Sequence, residues 1–164
     1  MDKAMPTINS PNLQDALLSP HFHLSELLAS QTATRRGIAN IPGVQALANL
    51  RRVCAVLELV REALGNRPIS INSGYRSGEL NRAVGGAAFS AHVQGLAVDF
   101  ICPQFGMPLQ ICHRIVADHI SFDQLIQEGT WVHLGLSELG TPPRGEVLTA
   151  KFGAAGTTYV RGFA

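Results

Sequence analysis

Charge is scarce in this sequence. Only 15% of its 164 residues are Asp, Glu, Lys or Arg, against 46% hydrophobic, and the formal net charge is +1. A composition so poor in charge is the reverse of a disordered tail. So small a net charge gives no general attraction to nucleic acid or to an anionic membrane, and neither is expected as a partner. No apolar run approaches the ~20 residues needed to cross a bilayer, so no membrane insertion is expected. Residues 1–9 lack a charged stretch followed by an apolar one, and no secretory signal is visible there. Cysteine is sparse too. Cys54, Cys102 and Cys112 lie in apolar surroundings, their odd number excludes full pairing within one chain, and none has zinc-ribbon spacing. They are expected to be buried and reduced, in a protein made in the cytoplasm. There is no internal repeat, the length fits one domain, and a monomer is expected.

The apolar residues that are present fall into helical and strand-like patterns. Residues 1–20, ending in Ser19-Pro20, are polar and turn-rich and are expected to be a loosely ordered lead-in, with the domain proper over 21–164. A short helix is expected over Leu24–Leu28. Leu47, Leu50, Cys54, Leu57, Val60 and Leu64 make one apolar stripe, which predicts a helix over 44–64, entered after Pro42 and left at Gly65. Further expected elements are a strand over 68–72, a helix over Gly78–Ala83, a glycine-containing loop over 85–88 and a strand over 95–101. A helix over 107–119 carries Pro108 in its first turn, and strands over 122–127 and 131–136 are joined at Gly129. From Glu138 onward, Gly, Thr and Pro obscure any pattern. Helices segregated from short, mainly antiparallel strands make an α+β domain.

The chemistry concentrates in Ser90-Ala91-His92-Val93-Gln94-Gly95-Leu96-Ala97-Val98-Asp99, where a histidine precedes by seven residues an aspartate inside an apolar strand. Alternation places Ala97, Asp99 and Ile101 on one face and Leu96, Val98 and Phe100 on the other. An ionised carboxylate in such a place is costly unless a cation or several donors compensate it. In Trp131-Val132-His133-Leu134-Gly135 the histidine shares its face with Trp131 and Gly135, with Val132 and Leu134 opposite. Two imidazoles and a carboxylate are a suitable set of three zinc ligands that leaves a fourth position for water. Singly, each residue has a plainer reading: His133 as a hydrogen-bonded core histidine, Asp99 as a turn cap or an arginine's partner. Spacing alone leaves both readings open.

These residues resemble the M15 zinc peptidases, the D-alanyl-D-alanine carboxypeptidase group that includes phage endolysins. The group's signature, Ser-x-His-x-x-Gly-x-Ala-x-Asp, is met at every fixed position of residues 90–99. Ser73-Gly74-Tyr75-Arg76-Ser77, Leu80-Asn81, Val84-Gly85-Gly86, Phe122-Asp123-Gln124-Leu125-Ile126 and Trp131-Val132-His133 are similar too, in the same order, over roughly residues 22–145. The resemblance implies a zinc fold shared with hedgehog-type domains, a small mainly antiparallel sheet with flanking helices, in which His92, Asp99 and His133 bind Zn2+. Arg76 falls on the arginine that faces substrate, where it would hold a carboxylate or a developing oxyanion; its plainer role is an ion pair. Ser90 would bind substrate or orient His92, unless it is simply a turn residue.

The implied function is hydrolysis of peptide bonds in peptidoglycan stem or cross-link peptides, as a carboxypeptidase or an endopeptidase. A phage or prophage endolysin, made in the cytoplasm and acting on the cell wall after release, fits that reading. Rival readings are a zinc-containing wall-binding module without catalysis, a dipeptidase acting on small D,D-substrates, and a hedgehog-like signalling domain, which no residue specifically supports. One position departs from the resemblance. Many relatives carry an acidic general base three residues before the last histidine, and here that position is Thr130, which cannot accept a proton near neutral pH. Glu128 is the expected base, against its reading as an exposed strand-end charge, and Asp123 is the reserve, expected to be structural. His21, His23, His113 and His119 are expected at the surface or at helix ends.

Overall fold

The computed structural model describes residues 16–164. A six-stranded sheet carries two helices on one face, and the core lies between them. The chain begins with a two-stranded ribbon, β1 (Leu17–Ser19) and β2 (Phe22–His23), followed by α1 (Leu24–Leu28), α2 (Gln31–Arg36) and the long α3 (Val44–Ala63). Then come β3 (Ser70–Ser73), α4 (Gly78–Ala83), a 3-10 turn (Ala91–Gln94) and β4 (Ala97–Ile101). The chain continues through α5 (Pro108–Ala117), β5 (Gln124–Gln127), β6 (Val132–Gly135), β7 (Glu146–Gly153) and β8 (Gly156–Arg161). The sheet order is β3-β4-β6-β5-β7-β8. Every pairing is antiparallel except β5 with β7. The α+β class expected from the sequence is the one found.

The stripe on α3 packs as its spacing requires. Leu50, Val53, Cys54, Leu57 and Val60 are fully buried, Leu64 caps the helix in the core, and Gly65 turns the chain at φ +75°. Ile111, Cys112 and Ile115 of α5 meet them, and Val98, Phe100, Leu125, Val132 and Leu134 supply the sheet side of the same cluster. Each such side chain stabilises the fold by roughly 1.5–3 kcal/mol relative to an exposed one. All three cysteines are buried and unpaired. Burial pushes the Cys54 and Cys112 thiols up to about 12, which makes them packing groups rather than nucleophiles.

Three parts of the fold differ from expectation. Of the lead-in expected over 1–20, residues 1–15 lie outside the described residues, and Leu17–Ser19 is a strand whose Leu18 reaches the core. Helix α2 was not expected because only Ala33 is buried on it; Ser30, whose hydroxyl accepts from Ala33 N at 3.2 Å, and Gly37 at φ +63° delimit it instead. The tail beyond Glu138 forms the β7–β8 hairpin, where β8 is exposed along its whole length and so shows no apolar alternation.

The turn between α4 and β4 is held by a close approach. Gly95 sits at φ +70°, and a Cβ there would lie 2.5 Å from the carbonyl oxygen of Ala46 on α3. Asn49 on the same helix donates to Gln94 O at 2.9 Å. Gly95→Ala must therefore push the turn off α3 and adopt a strained backbone. It is expected to cost about 2–3 kcal/mol in a urea titration, with the slope of the transition unchanged.

Candidate metal centre

Strands β4 and β6 are neighbours, and their register sets Asp99 directly opposite His133. Cross-strand partners share a face, so the carboxylate and the imidazole meet on the side of the sheet away from the core, as the alternation predicts. Asp99 Oδ1 lies 2.8 Å from His133 Nδ1, and Asp99 Oδ2 lies 3.3 Å from His92 Nε2. The two imidazole centroids are 5.2 Å apart, with the rings inclined at 59°. One ligand atom from each of His92, Asp99 and His133 lies within 4.8 Å of the others, a grouping able to hold a metal ion.

His92 arrives from the 3-10 turn. Its backbone N–H donates to the Ser90 hydroxyl at 3.3 Å, and its carbonyl accepts from Arg76 N at 3.1 Å. Ser90 thus caps the turn, while the ring is oriented elsewhere: His92 Nδ1 lies 2.7 Å from the Gly74 carbonyl. A carbonyl only accepts, so Nδ1 carries a proton, and in the neutral ring Nε2 turns a lone pair toward Asp99. An imidazole lone pair facing a carboxylate oxygen at 3.3 Å is repulsive unless a cation or proton lies between them. Backbone carbonyl, imidazole and metal in line is the usual support for a histidine ligand, and two histidines with one carboxylate suit zinc. The residues therefore fit the ion that the sequence implied. Gly74 itself was not singled out for this. A Cβ there would lie 2.5 Å from Leu27 O, so only glycine lets β3 press against α1 and bring its carbonyl under the ring.

The electrostatics favour an ionised Asp99. Burial pushes its carboxyl up, but the hydrogen bonds and charges of His133 and His92 outweigh this and hold it well below the ordinary carboxylate range. Arg76 and Asp99 both line a cavity of ≈ 420 Å³, together with Ser30, Gln31 and Asn72. Burial lowers the Arg76 guanidinium and the Asp99 charge partly restores it; its buried Nε has no hydrogen-bond partner in the protein.

Glu128 is buried, at 9% exposure, whereas Thr130 is exposed. A tight turn separates them, with Glu128 N–H donating to Trp131 O at 3.0 Å and Thr130 N–H to Glu128 O at 2.9 Å. Burial raises the Glu128 carboxyl; His133 lowers it, Asp99 raises it, and a hydrogen bond from Tyr159 lowers it, with the net shift upward. The charges of both Asp99 and His133 are thus felt at this carboxylate. Asp123 is occupied otherwise: Arg144 donates to its Oδ2 from NH2 at 2.7 Å and from Nε at 3.0 Å. His21 pairs with Glu58 at 2.8 Å, and His113 meets the Phe163 ring edge-on. His23 precedes α1 and His119 follows α5 at φ +55°, so none of these four joins the cluster.

Among curated proteins, the zinc D-Ala-D-Ala carboxypeptidase of Streptomyces albus G is 39% identical over 88 residues, which are 53% of this chain and 34% of that protein. The chain thus spans about a third of the length of that relative. A family model described as Peptidase M15 matches residues 20–135, a stretch that contains the whole cluster. Covering well over half of the sequence, the match makes this chain a member of the M15 peptidase family.

Proposed function

We propose that the protein is a zinc-dependent peptidase that cleaves peptides ending in, or cross-linked through, D-alanine in peptidoglycan, with His92, Asp99 and His133 as the ligands of the ion. The observation that carries this is the convergence of one ligand atom from each of His92, Asp99 and His133 within 4.8 Å, in a chain of a peptidase family. Zinc there supplies Lewis-acid chemistry, polarising a carbonyl and making water acidic enough to attack near neutral pH. Gly74 fixes the His92 tautomer, and β4–β6 pairing fixes Asp99 against His133. Glu128 accepts the proton of the attacking water and can return it to the departing amine. Arg76, which lines the ≈ 420 Å³ cavity beside Asp99, holds the substrate's terminal carboxylate or steadies the oxyanion. Ser90, on the His92 turn, would add a hydrogen bond to substrate.

A free terminal carboxylate is what an arginine at such a cavity recognises, which favours carboxypeptidase over endopeptidase action. The name of the Streptomyces albus G relative points the same way. The test offers zinc-loaded protein a pentapeptide ending in D-Ala-D-Ala, the same peptide as its C-terminal amide, and purified sacculi, with products weighed by mass spectrometry. Loss of one alanine from the free acid, and at least about tenfold slower loss from the amide, is the expected result. Cleavage of sacculi cross-links with the pentapeptide untouched would establish an endopeptidase instead. No product from any of the three, with folded and zinc-loaded protein, would leave a wall-binding module.

A further inference from the structure

We propose that Tyr159, on the outer strand of the C-terminal hairpin, is a positioning residue for Glu128, its hydroxyl donating a hydrogen bond that holds the carboxylate aimed at the centre. The inference rests on Glu128 as the base and names the group that orients it. The topology brings the two together from distant parts of the chain. In the parallel pair β5–β7, Gln127 lies level with Thr149, so the next residue, Glu128, comes level with Ala150. Ala150 is paired across the hairpin with Tyr159. Only a methyl group stands at the strand between them, on the face that Glu128 and Tyr159 share, and the phenol and the carboxylate interact across it.

A second contact clamps the same turn. The Phe152 ring of β7 would lie 3.1 Å from a Cβ at Gly129, the residue after Glu128. The hairpin thus holds both the backbone of the turn and the side chain it presents. Burial, then the charges of Glu128 and Asp99, then the hydrogen bond itself push the Tyr159 phenol up, so it stays protonated and donates. Residues 146–161 lie beyond the 20–135 covered by the family model. The orienting group therefore comes from outside the matched part of the chain. A base must stay within hydrogen-bond reach of the proton it takes, about 2.6–3.2 Å; a carboxylate without a fixed donor can rotate out of that reach.

The experiment compares zinc-loaded wild type, Tyr159→Phe, Glu128→Gln and the double variant on the D-Ala-D-Ala peptide across pH, with zinc content measured for each. Tyr159 is 51% exposed and the change removes one oxygen, so folding is preserved. Tyr159→Phe is expected to lower kcat about tenfold with KM and zinc content unchanged. Its acid limb should move to higher pH, because the ionised carboxylate loses a donor. In the Glu128→Gln background the same change should cost less than about twofold, since the group it orients is gone. Independently of turnover, the tyrosinate absorbance titration of metal-free protein should have a lower midpoint in Glu128→Gln than in wild type.

A loss in Glu128→Gln beside an unaltered Tyr159→Phe would overturn the tyrosine's role alone. So would identical tyrosinate titrations in wild type and Glu128→Gln. Full activity in Glu128→Gln would overturn the base and the positioning role together.

Discussion

His92→Ala and His133→Ala lose the metal and, with it, on the order of 10³-fold or more of peptide hydrolysis. Lewis-acid stabilisation of the transition state is worth several kcal/mol, and each 1.36 kcal/mol is tenfold in rate. The two variants should fail for a common reason, because each removes one of the three side chains whose ligand atoms converge within 4.8 Å. Zinc should also stabilise the wild type against unfolding, by about 2.7 kcal/mol at a free concentration a hundred times its Kd. Neither variant should show that gain. Atomic absorption of dialysed protein, thermal melts with and without added zinc, and initial rates on the peptide check all three points. Hydrolysis that persists in His92→Ala after dialysis against a chelator would remove zinc from the chemistry altogether.

Glu128→Gln is the second large effect, expected to lower kcat by roughly 10²–10⁴-fold while zinc content and KM stay near wild type. The amide keeps the size of the carboxyl and can still bond to Tyr159, so what is lost is the capacity to take a proton. The direction of the pH dependence follows from the surroundings. Burial first, and then the Asp99 charge, disfavour the ionised carboxylate, against the opposing pull of His133 and Tyr159, and the net shift is upward. The base is active only when ionised, so activity should fall on the acid side at a higher pH than an ordinary glutamate would set. A dication on the three ligands adds positive charge and draws that limb back down. A Glu128 titration in metal-free protein should therefore lie above the acid limb of the loaded enzyme. Carbon NMR of the labelled carboxyl, set beside the kcat profile, reads both. Equal midpoints would show that the limb belongs to another group.

How much of this was legible depends on what each element leaves in the sequence. Helix α3 buries one stripe and β4 and β6 bury one face each, so their periods are printed in the residues, and the orientation of Asp99 and His133 could be read from alternation. Their pairing could not: β4 and β6 are neighbours across a helix and another strand, and register between distant segments leaves no local mark. Helix α2 is bounded by caps and buries little. Strand β8 buries nothing fully, so the segment carrying Tyr159 had no pattern to find. The partner of His92 was hidden differently, since it is a backbone carbonyl and every residue has one; only the tolerance of Gly74 for the Leu27 backbone makes that carbonyl special. For Glu128 the sequence left an exposed charge and a buried base both open, and the turn through Gly129 decided for burial.

The three thiols give the protein an internal reporter of its own opening. Each is sealed in the interior, unpaired, and raised by burial away from its reactive form. Alkylating reagents that need thiolate must then wait for the chain to open. Cys54 sits on α3, Cys112 on α5, and Cys102 just past β4, so one label at each would time the release of the long helix, the second helix and the interior strand that carries Asp99 separately. Labelling in step would mean that the domain opens as one unit; a lagging Cys102 would mean that the strands holding the centre outlast the helices that cover them.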